Sequence, residues 1–170
     1  MISNKSALLL GILILLLGSI FYVFFRPATY VYFLPDSFLN YQITNYYVLI
    51  LSGSLPSFIH VLAFSLVTAG FLPKTKHIWL VCLFWVVINI IIEIAQHAIV
   101  YPMVRGNIPQ WENIPILENV KYYFARGTYD PVDLLFTILG GLFAFLILKK
   151  LRILVRISKG RKFLVGSKIK

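Results

Sequence analysis

The sequence predicts an all-α membrane protein: a bundle of four transmembrane helices, with both termini in the cytoplasm and short interfacial helices on the outer side. Three observations predict this fold class, namely an apolar composition, four long apolar runs and an uneven distribution of basic residues. Of the 170 residues, 59% are hydrophobic and 13% are charged, and the mean hydropathy is +0.85. Such a composition is too apolar for a soluble domain and is typical of integral membrane proteins.

Four apolar runs are long enough to cross a hydrocarbon core of roughly 30 Å, for which a helix needs about 20 residues. They cover residues 7–25, 55–72, 78–100 and 132–148. No small-residue cleavage signal follows the first run, so we expect an uncleaved span rather than a signal peptide. Residues 1–148 are therefore expected to form a single transmembrane domain, and residues 149–170 a basic cytoplasmic tail.

The distribution of basic residues predicts the orientation. The net charge is +10, from 16 Lys and Arg against 6 Asp and Glu. With the N-terminus inside, twelve basic residues lie in cytoplasmic segments and four in outer segments, in agreement with the positive-inside tendency. The charge thus indicates topology, and no nucleic-acid partner is expected. The tail alternates basic and apolar residues, which favours binding to anionic lipid headgroups at roughly 1 kcal/mol per basic residue.

The two predicted outer segments, residues 26–54 and 102–126, are rich in aromatic residues, as is typical of the headgroup zone. Residues 41–51 are too short to span and are expected to lie on the surface or to re-enter the membrane. A helix-start signal, Ser-Gly-Ser-Leu-Pro, precedes the second span at residues 52–56. A short interfacial helix is expected at residues 116–124.

Polar residues recur at a similar predicted depth, in the outer third of the spans. At 1.5 Å per residue, His60 in the second span lies level with Glu93 in the third and with Asp133 at the start of the fourth. Gln96 and His97 follow Glu93 at i+3 and i+4, so the three would share one face of a helix. A carboxylate inside the membrane costs at least about 2 to 3 kcal/mol on insertion scales, so Glu93 is the most informative of them.

Each of these residues also has a structural interpretation. Asp130 and Pro131 fit the N-cap and first position of a helix, and capping is the favoured role for Asp130. For Asp133, capping and function are equally open. The remaining polar residues fit hydrogen bonds between helices or an interfacial position, and they are His60, Asn89, Gln96 and His97. The two glycines of the fourth span, Gly140 and Gly141, fit close helix packing. For Glu93 function is favoured, because a neutral side chain could make a structural hydrogen bond at lower cost.

The order of these residues resembles a known family. His60 in the second span, Glu93-x-x-Gln96 in the third, and Arg126, Asp133 and Gly140 around the fourth are similar to the pattern of the VanZ-like family of small bacterial membrane proteins. The resemblance covers about residues 55–148. It implies a multi-pass protein of the bacterial plasma membrane and a link to resistance against the lipoglycopeptide teicoplanin, with which the founding member is associated. Where the family commonly has Asn, four positions after the aspartate, this sequence has Thr137.

The leading functional prediction is an outward-facing polar pocket that binds an amphiphilic or lipid-linked cell-envelope molecule. Arg126 would meet a phosphate or carboxylate of that molecule, and Asp133 would hold Arg126 in place. The candidate pocket residues are His60, Glu93, Gln96, Arg126 and Asp133, with His97 and Asp130 as secondary candidates.

Two other functions remain open. A membrane-embedded hydrolase or transferase acting on a lipid-linked substrate could use Glu93 and His60 for acid–base chemistry. A metal shared by Glu93 and His97 has weaker support, since no His-Glu-x-x-His motif is present, and we predict neither metal nor cofactor. A non-catalytic membrane scaffold is the third function. Membrane lipids are the expected partners and a homo-oligomer is compatible with the sequence, whereas transport by four spans without an inverted repeat would need a dimer.

Overall fold

The computed structural model describes residues 5–25, 46–72, 77–109, 111, 114, 117 and 120–166, and these are mostly helical. Within them no strand occurs. Six helices follow one another along the described chain: α1 Lys5–Phe25, α2 Tyr46–Phe71, α3 Ile78–Ala95, α4 Tyr101–Asn107, α5 Val120–Arg126 and α6 Pro131–Gly166.

Four stretches of these helices have the length and hydropathy of membrane spans, which confirms the predicted helical, multi-pass membrane protein within the described residues. They are Lys5–Phe25, Gly53–Phe71, Ile78–Ala95 and Pro131–Arg152. The short helices α4 and α5 both lie between α3 and α6 along the chain, and they contact each other. The orientation of the termini stays a prediction.

The start of the second helix differs from the expectation. α2 begins at Tyr46 and runs through Pro56, so the predicted start at residues 52–56 is wrong. Proline removes one backbone hydrogen bond from a helix, and membrane helices tolerate it because neighbouring groups satisfy the freed carbonyl. Residues 46–51 of the segment expected to lie on the surface or to re-enter therefore belong to α2, and residues 41–45 lie outside the described residues.

The third helix is shorter than predicted. α3 ends at Ala95 rather than at residue 100, and residues 96–100 form turns before α4 begins. The helix tightens as it ends, because the Gln96 N–H donates to the Glu93 carbonyl (3.1 Å) and the His97 N–H to the Ile94 carbonyl (3.0 Å). Gln96 is consequently the C-cap residue, and His97 lies beyond the helix instead of on its face.

The fourth span continues past its predicted end at residue 148. α6 runs to Gly166, so most of the basic tail prolongs the same helix. A short helix, expected at residues 116–124, is found as α5 at Val120–Arg126, and its interfacial position stays a prediction. It ends with a backbone hydrogen bond from Gly127 N–H to the Tyr123 carbonyl (2.9 Å).

α2 is the central helix and packs on α1, α6 and α3. Its antiparallel contact with α1 is close, because glycines let the two backbones approach. A Cβ on Gly70 would lie 2.6 Å from Leu8 Cβ, and one on Gly11 would lie 2.8 Å from the backbone nitrogen of Val67. Small residues at such positions are the usual means of close packing between membrane helices.

α6 runs parallel to α2 and antiparallel to α3. A Cβ on Gly140 would lie 2.5 Å from the Phe58 carbonyl oxygen of α2, and a Cβ on Gly141 would collide with Val86 of α3. These approaches align the start of α6 with the end of α3. We call this end of the bundle, where α3 ends and α6 begins, the α6-start end.

Candidate functional site

Three residues at the end of α3 contact the linker that joins α5 to α6, residues 127–130. Glu93, Gln96 and His97 each contact a different linker residue. We call these three contacts the α3–linker clasp. Glu93, Gln96 and His97 were all predicted as candidate site residues.

Glu93 makes the hydrogen bond of the clasp. Its Oε1 accepts the backbone N–H of Asp130 at 2.7 Å, and the residue is only 8% exposed. Asp130 directly precedes α6, so the carboxylate lies at the positive end of a helix dipole, where negative charge is stabilised. Glu93 therefore supplies one of the partners that the N-terminus of α6 needs.

Gln96 makes the tightest packing contact of the clasp. It is 8% exposed, and its side-chain amide lies directly against Gly127, where a Cβ would collide with the Gln96 oxygen. Only glycine fits there without displacing Gln96. Gly127 was missed by the sequence prediction, although a glycine directly after a helix that ends in Arg is a common C-terminal signal.

His97 forms the third contact, with Tyr129. The two rings meet edge to face with centroids 4.9 Å apart. The Ile99 N–H donates to His97 Nδ1 at 3.3 Å, so a neutral imidazole would carry its proton on Nε2. Tyr129 was not among the predicted site residues, because a lone tyrosine in a loop carries no specific sequence signal.

The two aspartates at the start of α6 have different positions. Asp130 Oδ1 accepts the Val132 N–H at 2.8 Å, which agrees with the predicted N-cap role. Asp133 lies in the first turn of α6, is partly buried and has a buried carboxylate oxygen, Oδ1. The carboxylates of Glu93, Asp130 and Asp133 therefore all lie near the N-terminus of this helix.

Two neutral polar residues extend the polar region toward the bundle interior. Thr137 follows Asp133 by one turn and is 2% exposed, and Ser54 of α2 is 5% exposed. Both precede the close approach of Gly140 to Phe58 by about one turn, so they lie at a similar level. Thr137 entered the sequence analysis only as a departure from a family pattern, and Ser54 only as part of a helix start.

Arg126 is the last residue of α5, so its backbone directly precedes the linker. Its side chain lies outside the described part of the chain. His60 is exposed and lies deeper in the bundle, with its ring 5.9 Å from that of Phe64. The structure thus brings Glu93, Gln96, His97 and Asp130 to one linker. It places Asp133 in the first turn of α6, and His60 in α2 with its ring near that of Phe64.

The geometry does not provide a metal site among the described residues, where no group of three His, Cys, Asp or Glu side chains could hold a metal ion. The chemistry available from the described side chains is hydrogen bonding and charge: carboxylates that accept, and a glutamine amide that can donate and accept.

Neither the protein-family models, nor the curated proteins, nor the solved structures include a match to this chain. The fold and the site define a multi-pass helical membrane protein with a buried carboxylate at one end of its bundle.

Proposed function

We propose that this protein binds the polar part of an amphiphilic or lipid-linked cell-envelope molecule at the α6-start end of the bundle. The observation that supports this most is the charge of Glu93. Glu93 is 8% exposed and lies beside the start of α6, where its Oε1 accepts the Asp130 N–H at 2.7 Å. A carboxylate inside a membrane protein is costly and commonly belongs to a functional site, which supports a binding role for this one.

The depth of the site suits the head of an amphiphile. Glu93 lies two residues before the end of α3, which is about 3 Å along the helix axis. The site is therefore shallower than a helix extending to residue 100 would make it. At this level a membrane changes from hydrocarbon to headgroups, so a lipid-linked molecule would present its polar group here.

The predicted orientation places this end on the outer face of the plasma membrane, where envelope precursors are exposed. Twelve of 16 basic residues then lie on the cytoplasmic side, and the basic continuation of α6 meets anionic headgroups there. Arg126 supplies a cation for a phosphate or carboxylate, and Asp133 an acceptor to orient it.

Glu93→Gln tests the proposal because it keeps an acceptor for the Asp130 N–H and removes only the charge. The full chain is purified in mild detergent from bacterial membranes, and the amphiphiles that stay bound are counted by native mass spectrometry. We expect retention to fall about 10- to 100-fold, since a hydrogen bond to a charged group is worth about 1.5–3 kcal/mol.

Asp36→Asn is the matched control, because it removes a carboxylate from another part of the sequence. It should retain as much amphiphile as the unaltered chain. Equal retention by Glu93→Gln and Asp36→Asn would overturn the proposal.

The resemblance to the VanZ-like family extends the proposal to lipoglycopeptide resistance. Teicoplanin is itself an amphiphile, and interference with its target or its membrane anchoring would require a site of this kind. Expression of the chain in a susceptible bacterium should raise the inhibitory concentration of teicoplanin, and Glu93→Gln should remove that increase at equal expression. If the inhibitory concentration stays raised in Glu93→Gln, the resistance does not depend on this site.

A scaffold is the second candidate function, and the α3–linker clasp specifically favours it. Glu93 of α3, and Gln96 and His97 directly after it, each contact the linker, which is the arrangement expected if they only fix the connection between α5 and α6. Unchanged amphiphile retention in Glu93→Gln, combined with unchanged stability, would make the scaffold the conclusion.

A further inference from the structure

We infer that Gln96 is the specificity-determining residue of the proposed site, and that it recognises an uncharged group of the amphiphile's head that both donates and accepts a hydrogen bond, an amide or a hydroxyl. The inference rests on the proposed function and deepens it by naming the chemistry of one part of the ligand. Among the described residues, Gln96 combines burial with a side-chain amide that has no partner.

The side chain of Gln96 has hydrogen-bonding capacity that the described residues do not use. Gln96 is 8% exposed, and its backbone N–H donates to the Glu93 carbonyl at 3.1 Å. Its side-chain amide, in contrast, makes no hydrogen bond within the part of the chain that the structure describes. An amide offers one acceptor oxygen and two N–H donors, and most buried side-chain polar atoms have a partner. An unpartnered amide at this degree of burial therefore indicates a ligand.

The amide of Gln96 is directed at the linker before α6. A Cβ on Gly127 would lie 3.0 Å from Gln96 Cγ and would collide with its Cδ and Oε1. Glu93, three residues earlier, accepts the Asp130 N–H of the same linker. Both side chains therefore extend from the end of α3 to the linker. The unpartnered amide and the buried carboxylate are consequently two parts of one site.

The electrostatics at Gln96 favour an uncharged ligand group. Gln96 is the C-cap of α3, where the negative end of the helix dipole disfavours an anion, and the Glu93 carboxylate lies one turn earlier. A cation could use only the amide oxygen and would leave both N–H donors unpaired. A group that donates to the oxygen and accepts from an N–H satisfies both functions of the amide. Amides and hydroxyls are uncharged groups of this kind.

Packing against Gly127 does not by itself account for an amide at this position. Methionine is unbranched like glutamine, adapts to irregular gaps and carries no N–H donor. It would fill the space beside Gly127 without burying donors that lack partners, which is a costly arrangement. Gln96→Met is therefore the substitution that separates hydrogen bonding from packing.

The test measures binding of two pairs of probes to the full chain, purified in a polyoxyethylene detergent that has neither amides nor sugars. One pair is N-hexadecanoyl-glycylglycinamide and its counterpart with every amide nitrogen fully methylated. The other pair is hexadecyl glucoside and its counterpart with every hydroxyl methylated. Methylation removes the donors and leaves the acceptor oxygens, and bound probe is counted by native mass spectrometry.

We expect the unmethylated member of one pair to bind about tenfold better than its counterpart, as two neutral hydrogen bonds to Gln96 predict. Gln96→Met should abolish that preference. Its melting temperature should equal or exceed that of the unaltered chain, because the amide it replaces has no partner among the described residues. Should Gln96→Met fail to fold, Gln96→Leu, which is smaller, should show the same loss of preference.

Asn107→Leu is the matched control. It removes an amide that is exposed and already partnered, since Asn107 Nδ2 donates to the Met103 carbonyl at 2.8 Å. This variant should keep the full preference between the members of the probe pair.

A preference for the unmethylated dipeptide would assign an amide to the ligand, and a preference for the unmethylated glucoside a hydroxyl. Equal binding within both pairs, a preference that Gln96→Met keeps, or a melting temperature several degrees lower in Gln96→Met would overturn this role of Gln96. If amphiphile retention still falls in Glu93→Gln, the proposed function stands without it. Unchanged retention in Glu93→Gln would overturn the proposed function instead, whichever probe binds.

Discussion

At the residue scale, Glu93 and Asp130 share the task of satisfying the N-terminus of α6. Glu93 accepts the Asp130 N–H, and Asp130 in turn accepts the Val132 N–H. The first acceptor comes from α3, 37 residues away in sequence, and the second is local. The remote acceptor makes the folding of α6 dependent on the position of α3.

The role of the remote acceptor is tested by comparing Glu93→Leu with Glu93→Gln. Both remove the charge, so the desolvation cost of the carboxylate disappears from the comparison. Only Gln can accept the Asp130 N–H, and leaving that partly buried group unsatisfied costs about 1 kcal/mol. We expect the Leu variant to melt several degrees below the Gln variant in detergent. Equal melting temperatures would mean that the hydrogen bond contributes nothing to stability.

At the element scale, glycines determine which helices lie side by side. Gly140 faces the backbone of Phe58, and no side chain can be accommodated there without moving α6 away from α2. The sequence predicted a packing role for Gly140 and Gly141, and the structure confirms it. It did not predict the partners, because two glycines in an apolar run fit equally against any neighbouring helix.

Gly140→Ala tests this packing. Its Cβ would lie 2.5 Å from the Phe58 carbonyl oxygen, a backbone atom that cannot rotate away, so overpacking of about 1–3 kcal/mol is expected. The matched control is Gly53→Ala in α2, where a Cβ would meet no described atom within 4 Å. That variant should be neutral or more stable by up to about 1 kcal/mol. A thermal melt that ranks the two variants equally would contradict the packing role.

Helix boundaries show where sequence patterns stop being informative. The apolar residues Ala98, Ile99 and Val100 continue the run of the third span, and the nearest stop signal is Pro102, so an end at Ala95 is not visible in hydropathy. The opposite error occurred in α2, where Pro56 was taken as a start although the helix passes through it. In both cases the local signal did not mark the boundary of the helix.

At the scale of the whole molecule, the predicted orientation decides which compartment the site faces. A fluorescent-protein fusion after residue 170 should fluoresce, since such fusions mature in the cytoplasm, and alkaline phosphatase inserted after residue 109 should be active outside. The physical reason is the excess of Lys and Arg in the predicted cytoplasmic segments. The reverse pattern would place the carboxylates of α6 inside the cell and exclude outer-face envelope ligands.

The sequence by itself determined that the chain is helical and multi-pass, because the length of an apolar run can be counted along the sequence and compared directly with the thickness of the bilayer. It also located the polar residues worth attention, since charge near apolar runs is costly wherever it occurs. Only the tertiary structure decided that Glu93 meets Asp130, that Gln96 lies against Gly127 and that His97 meets Tyr129. Those contacts depend on how helices distant in sequence are aligned, and that alignment is set by packing at a few small residues.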